Sequence, residues 1–308
     1  EHIQRFRTEA VTDIKKIKAK YTIPTVGIAL GDILGKGDAQ TFLSMKRALG
    51  ETGVPFFTTI GNHDKSSVDY TGDTYRDVLG PRWYSFNRGE VHFVAMDNII
   101  FTGQDYTGGF TDEQMAWLEK DLAFVPTSKM IVLYYHIPLR DTNYRNRQKV
   151  LDLISKYKNP TLMCAHTHYF QPYHMRSHNI FERIHGGTCG YFWRSNCGGD
   201  GTPNGFMVYE IDGTEFVDTY FKASQRPDDH QIRLYRGDAI FAGPYATYKY
   251  DLGADVVVAN VFTAGMDGTT WKVELSEDSG KTWNTMSQIA QSYGDRWIRG
   301  YHIGVEHH

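Results

Sequence analysis

The segment Gly61-Asn62-His63-Asp64 closes the apolar run Val54–Ile60. A β-branched and aromatic run of that length reads as a buried strand, and the glycine marks where it stops. An amide, an imidazole and a carboxylate in succession then offer an oxygen ligand for a metal, a proton donor and a group to orient that donor. Three more apolar runs end in the same kind of residue. Val26–Leu30 delivers Gly31-Asp32, Met130–Tyr135 delivers His136, and Thr161–Ala165 delivers His166-Thr167-His168. One Gly-Asn turn or one histidine after a strand is an ordinary structural feature. Four strands that each end in a possible ligand are a site, because a sheet holds the backbone rigid while side chains at strand ends stay reachable. Mixed carboxylate, amide and imidazole ligands suit manganese, iron or zinc.

The elements that must hold these strands are visible in the periodicity. Ile3, Phe6, Ala10, Ile14, Ile17 and Tyr21 recur at three- and four-residue spacings, which predicts an amphipathic helix from about Ile3 to Lys20. A second helix, from about Ala39 to Gly50, turns Phe42, Leu43, Met45 and Leu49 inward. Trp83–Phe86 and Val91–Met96 read as a hairpin. Thr111 and Gln114 form a capping box for a helix running to about Phe124, with Met115, Trp117, Leu118 and Leu122 as core residues. A further helix is expected near Asn146 to Tyr157, and Asp212-Gly213 joins a last hairpin, Phe206–Ile211 with Thr214–Phe221. Strand, helix, strand in this order indicates an α/β (α+β) domain over residues 1–223.

The polar, proline-broken stretch Ala223–Asp229 reads as a boundary. Beyond it, residues 230–305 show short β runs, turn signals and no convincing helix, so a small all-β domain of sandwich type is expected. Within it Ser276–Trp283 resembles an Asp-box hairpin, in which Asp and Gly build the turn and the Trp packs beneath. Residues 306–308 read as the remainder of a purification tag.

With 308 residues, 41% hydrophobic and 22% charged, the chain has ample material for a core and nothing that suggests disorder. A formal charge of −3 gives no general attraction to nucleic acid or to anionic membrane, so an anionic ligand needs local help such as a metal. No apolar run approaches a membrane span, and no signal peptide opens the sequence. Cys164, Cys189 and Cys197 are too few for a disulfide scaffold, although Cys189 and Cys197 flank a short loop and could pair in an oxidising compartment.

Gly31-Asp32, Gly61-Asn62-His63-Asp64, Tyr135-His136 and Ala165-His166-Thr167-His168, in this order, resemble the motifs of the calcineurin-like metallophosphoesterases. The resemblance runs from about Pro24 to Phe221. It implies a metallophosphoesterase-type central β-sandwich flanked by helices, and a hydrolase of phosphate mono- or diesters with two transition-metal ions (Mn, Fe or Zn) and a metal-bound hydroxide as nucleophile. Asp32 would bridge the ions. Asn62, His136 and His166 would complete the shell of one ion, and His168 would reach the other. His63 would donate a proton to the leaving oxygen or stabilise the phosphoryl charge, with Asp64 fixing its orientation. The family also begins with a strand ending in Asp-X-His, which supplies two ligands to the ion that His168 binds. Glu1-His2 does not carry that strand: either it lies upstream, which is the expectation, or this chain has lost one ion's site. Asp32 and His168 alone are too few for a stable second site.

Thr188–Asp200, together with the appended β domain, resembles a bacterial subgroup of secreted or envelope-associated phosphoesterases, which places the expected location in the periplasm or cell envelope. In that loop Arg194 could make a bidentate phosphate contact, and Tyr191 and Trp193 could stack on a small-molecule phosphate-ester substrate. Two other readings stand beside this one. One is a non-catalytic envelope protein that keeps a relic metal site and binds carbohydrate or protein through its β-sandwich. The other is a related enzyme acting on a cyclic or pyrophosphate bond of a nucleotide. No sequence feature sets the oligomeric state.

Overall fold

The computed structural model describes residues 2–35, 38–66, 69–189, 196–243, 247–289 and 295–305. Its largest sheet has six strands: β3 (Tyr84–Arg88), β4 (Val91–Ala95), β7 (Met130–Tyr134), β8 (Lys158–Cys164), β9 (Gln171–Met175) and β10 (Ile180–Ile184). They lie in the order β3-β4-β7-β8-β10-β9, with the inner pairs parallel and the two outer pairs antiparallel. β4 and β7 are buried at every residue. Continuous apolar strands of this kind are what a parallel sheet covered on both faces requires.

Alternation along β4 and β7 sorts their side chains into two layers. Val94, Ile131 and Leu133 pack beneath the helices Asp112–Leu122 and Arg147–Ile154, against Leu118, Leu122, Val150 and Ile154. Phe93, Val132 and Tyr134 face the other way. They meet Ile28 and Leu30 of β1 (Gly27–Leu30), Phe57 of β2 (Phe56–Thr59), and Tyr209, Ile211 and Phe216 of the hairpin β11–β12 (Gly205–Asp212 and Glu215–Ala223). The parallel pair β1–β2 and this hairpin therefore form a second β layer, as the sandwich expectation requires. Phe6 and Ala10 of the first helix, and Phe42, Met45 and Leu49 of the helix Ala39–Glu51, belong to the cluster that covers the far side of that layer.

Several local expectations are corrected. The first helix is interrupted: His2–Arg5 passes into a π-helical stretch, Phe6–Val11, before Thr12–Lys20. Leu43 is exposed rather than inward, because the stripe that reaches the core is Phe42, Met45, Ala48 and Leu49. The capping box at Thr111 and Gln114 forms as read. Cys189 is a free thiol, so it is not paired with Cys197 here. The sequence beyond residue 230 pairs as three antiparallel couples, β13–β16 (Ile232–Arg236 with Val257–Val261), β14–β15 (Ile240–Ala242 with Thr247–Lys249) and β17–β18 (Glu274–Leu275 with Asn284–Thr285). It ends in a helix, Arg296–Val305, that no pattern announced. In the Asp-box hairpin, Asp278 takes the backbone amides of Lys281 and Thr282 as expected, but Trp283 is 59% exposed rather than packed beneath. Among the described residues no helix is long and apolar enough to cross a membrane.

Candidate metal centre

The four motif loops leave neighbouring strands of the two layers, and the backbone shows how tightly they meet. A Cβ on Gly61 would collide with the backbone nitrogen and carboxylate of Asp32. One on Gly31, at φ 86°, would stand 2.6 Å from His136 Nδ1. Asp32, His166 and His168 themselves adopt φ of 48°, 68° and 62°. Left-handed backbone at residues other than glycine costs on the order of 1–3 kcal/mol each and persists where the surroundings dictate it. Three of the five residues expected to bind metal carry that strain.

Their side chains converge. His136 Nδ1 donates to the Leu30 carbonyl at 2.7 Å, which leaves Nε2 of the neutral ring as a lone pair. That nitrogen lies 3.1 Å from Asp32 Oδ2, 3.2 Å from Asn62 Oδ1 and 3.2 Å from His166 Nδ1. Asn62 Oδ1 and His166 Nδ1 are 3.0 Å apart. Ligand atoms of Asp32, His136 and His166 all lie within 4.8 Å of one another. Asp32 Oδ2 is buried without a hydrogen bond. A buried carboxylate oxygen facing nitrogen lone pairs needs a cation, and a carboxylate, amide and imidazole set is the donor chemistry of a transition metal. The residues fit such an ion.

Electrostatics agree with that assignment. Burial pushes the Asp32 carboxyl up, but the His136 ring and the His63 backbone amide outweigh it and hold it at about 2. Burial works against charge on His136, yet Asp32 more than offsets it and raises the imidazole above its ordinary value. His166 is lowered to about 4 by burial and by the neighbouring His136, so it stays neutral and able to ligate. His168 is lowered too, chiefly by burial.

The other motif residues have separate places. The His63 backbone amide donates to Asp32 Oδ1 at 2.8 Å. Asp64 does not stop at its own loop: its carboxylate accepts from the amides of Gly61 at 2.8 Å, Leu34 at 3.1 Å and Ile33 at 3.3 Å. It therefore clamps the Asp32 loop to the Asn62 loop. Burial, then the charge of Asp32, raise the Asp64 carboxyl to about 7 against the pull of those amides.

Two supports were not singled out from sequence. Asn98 Oδ1 accepts from the amides of His136 at 3.1 Å and Ile137 at 3.0 Å, fixing the backbone that aims the His136 ring. Lys65, in the short helix Asn62–Ser66, is buried against Asp97 at 2.7 Å, and Arg82 reaches the same carboxylate at 2.9 Å. Asp97-Asn98 also follows an apolar strand, so the strand-end signal was present there. Tyr106, whose ring meets His166 edge-on at 6.0 Å, had no signal. Tyr191, Trp193 and Arg194 lie outside the described residues.

A cavity of about 780 Å³ opens beside the centre. Gly27, Ile28 and Leu30 of β1 line one wall, Met207 and Tyr209 of β11 another, and Asp32, His166 and His168 its end. Among the described residues β1 pairs only with β2 and β11 only with β12, so the cavity separates two strand edges of one layer.

Comparison with known proteins adds a family context. Residues 2–170 match a family model described as "Calcineurin-like phosphoesterase", and residues 182–300 one described as "C terminal of Calcineurin-like phosphoesterase". The chain is 26% identical over 175 residues to a "Probable glycerophosphodiester phosphodiesterase" of Arcobacter nitrofigilis, a stretch covering 51% of this chain and 60% of that protein. It is 22% identical over 228 residues to a "Probable cyclic nucleotide phosphodiesterase" of Moraxella catarrhalis, covering 67% of this chain and 82% of that one. A purple acid phosphatase from yellow lupin seeds (Lupinus luteus) aligns with a TM-score of 0.44 and 14% identity, over 82% of this chain and 48% of that structure. The match thus spans about 60% of the length of the Arcobacter relative.

Proposed function

The chain belongs to the calcineurin-like phosphoesterase family, and from that premise we propose that it hydrolyses phosphate mono- or diesters at a two-ion metal centre. The observation that carries this reading is the convergence of Asp32 Oδ2, Asn62 Oδ1, His136 Nε2 and His166 Nδ1. Those four residues would hold one ion. Asp32 and His168 would face the other. The ions would supply charge to hold the phosphoryl oxygens and would acidify the attacking water. The protein's own residues do the rest: Asp64 and Asn98 keep the ligand loops in register, His136 is aimed by its bond to Leu30, and His63 stands beside Asp32 to pass a proton to the leaving oxygen.

The second ion needs more ligands than Asp32 and His168. The cavity between β1 and β11 supports the expectation of a further strand from upstream of Glu1. An extended segment there would pair with both edges, join β1–β2 to β11–β12 in one sheet, and end beside Asp32 and His168. Metal content and hydrolysis of an aryl phosphodiester test the whole reading on the Asn62→Ala variant. Loss of bound metal together with turnover is the expected result. Turnover retained with unchanged metal dependence would remove the assignment.

A further inference from the structure

The hairpin β5–β6 (Ile99–Thr102 and Asp105–Gly108) rises beside the metal centre, and it carries a row of aromatic rings. Tyr106 and Phe101 are cross-strand partners with ring centroids 5.5 Å apart. Phe101 lies 5.0 Å from Tyr70, and at the inner end Tyr106 meets the His166 ring at 6.0 Å with the planes at 86°. Tyr70 and Tyr106 are 43% and 42% exposed. A single exposed aromatic residue needs no explanation, since much of any protein surface is apolar. Here two half-exposed rings and the one between them form a continuous line from solvent to a metal ligand.

Ring faces interact with other π systems by offset stacking or edge-on contact, and they discriminate poorly among aliphatic groups. We propose that Tyr106, with Phe101 and Tyr70 behind it, is the specificity surface for phosphate esters whose alcohol group carries an aromatic ring. The phosphoryl group would sit at Asp32 and His166 while that ring lies against Tyr106. This rests on the phosphoesterase reading above.

The test compares kcat/KM for bis(4-nitrophenyl) phosphate with that for glycerophosphoethanolamine, an alkyl diester, in the wild-type chain and in Tyr106→Phe, Tyr106→Ala and Tyr70→Ala. Tyr106→Ala should lower the aryl-over-alkyl ratio about tenfold, mainly through KM. Tyr106→Phe should keep most of the preference, and Tyr70→Ala should lower it by a smaller factor. Metal content measured on each variant guards against a damaged centre. An unchanged ratio in Tyr106→Ala, or equal losses on both esters at full metal content, would overturn the proposal and leave the phosphoesterase reading standing. A metal-loaded wild-type protein that cleaves neither of these esters nor 4-nitrophenyl phosphate, a monoester, would take both down.

Discussion

His136 Nε2 stands 3.1 Å from Asp32 Oδ2 while the other ring nitrogen is committed to the Leu30 carbonyl at 2.7 Å. The ring therefore has only two ways to satisfy that contact. It takes a proton and becomes an imidazolium, or it gives its lone pair to a metal shared with the carboxylate. Proton and metal compete for one position, and this fixes the sign of the pH dependence. The Asp32 charge raises the His136 pKa, so the proton wins as pH falls through that raised value, and metal affinity declines with it.

Asp32→Asn separates these two states. It removes the charge that both the proton and the metal require. Bound metal should fall below detection, and the rise in Tm that excess metal gives the wild-type chain should vanish. That rise corresponds to about 2.7 kcal/mol at a free metal concentration of one hundred times Kd. The metal-free variant should melt below the metal-free wild type, since the charge pairing with the His136 ring that holds the Asp32 carboxyl at about 2 is lost. A variant that still gained Tm with metal would show that Asp32 is not a ligand.

Gly61→Ala tests the approach of the two loops rather than any ligand. The added methyl would overlap the Asp32 backbone and carboxylate, so one loop must move. Overpacking of this kind costs about 1–3 kcal/mol, and the displacement acts directly on Asp32 and Asn62. Weaker metal binding should accompany the lower Tm. The same substitution at Gly50, where a Cβ would meet nothing within 4 Å, serves as the control and should leave metal affinity alone. Equal metal affinity in both variants would mean that Gly61 carries no geometric demand.

The candidate ligands were legible because they share a rule that sequence states openly: an apolar run, then a polar residue. Asp32, Asn62, His136 and His166 were found this way, and the structure brings them together. The layered α/β core followed from the same runs. What stayed hidden depended on partners far along the chain. Asp64 reads as the neighbour of His63, yet its hydrogen bonds run to Ile33 and Leu34, about 30 positions earlier. Tyr106 sits in a short half-exposed hairpin with little periodicity, and only its distance to His166 gives it meaning. The helix Arg296–Val305 escaped for a local reason, since Gly300, Ile303 and Trp297 lower helix propensity and mask its period.

Between about pH 4 and 6.5 His185 should contribute stability that rises with pH, and it is the residue to test. It is lowered to about 4, first by burial, and its ring bridges the Cys164 carbonyl at 3.0 Å and the Tyr209 hydroxyl at 2.9 Å. In that window the unfolded chain binds a proton on this residue and the folded chain does not. Each pH unit of descent then removes up to about 1.4 kcal/mol of stability per such histidine. Above pH 6.5 both states are neutral there and the contribution is fully present. In urea titrations His185→Gln should lower the slope by about one proton, leaving the opposed shares of His166, lowered to about 4, and Asp64, raised to about 7. A slope unaltered by the substitution would mean that His185 is already protonated in the fold.

His63→Ala decides whether this side chain acts on the substrate or only supports the metal. Its backbone amide holds Asp32 Oδ1, and alanine keeps that amide. Metal content should therefore stay near the wild-type value while kcat falls by about 10²–10⁴, the range that proton transfer by a positioned side chain supplies. The dependence on leaving group gives the sharper reading. An alcohol with a high pKa must be protonated as it departs, whereas 4-nitrophenolate leaves readily without help. The loss should accordingly be larger for an alkyl ester than for a nitrophenyl ester. Equal losses on both esters would assign His63 to holding phosphoryl charge instead of donating a proton, and loss of metal would place it among the ligands.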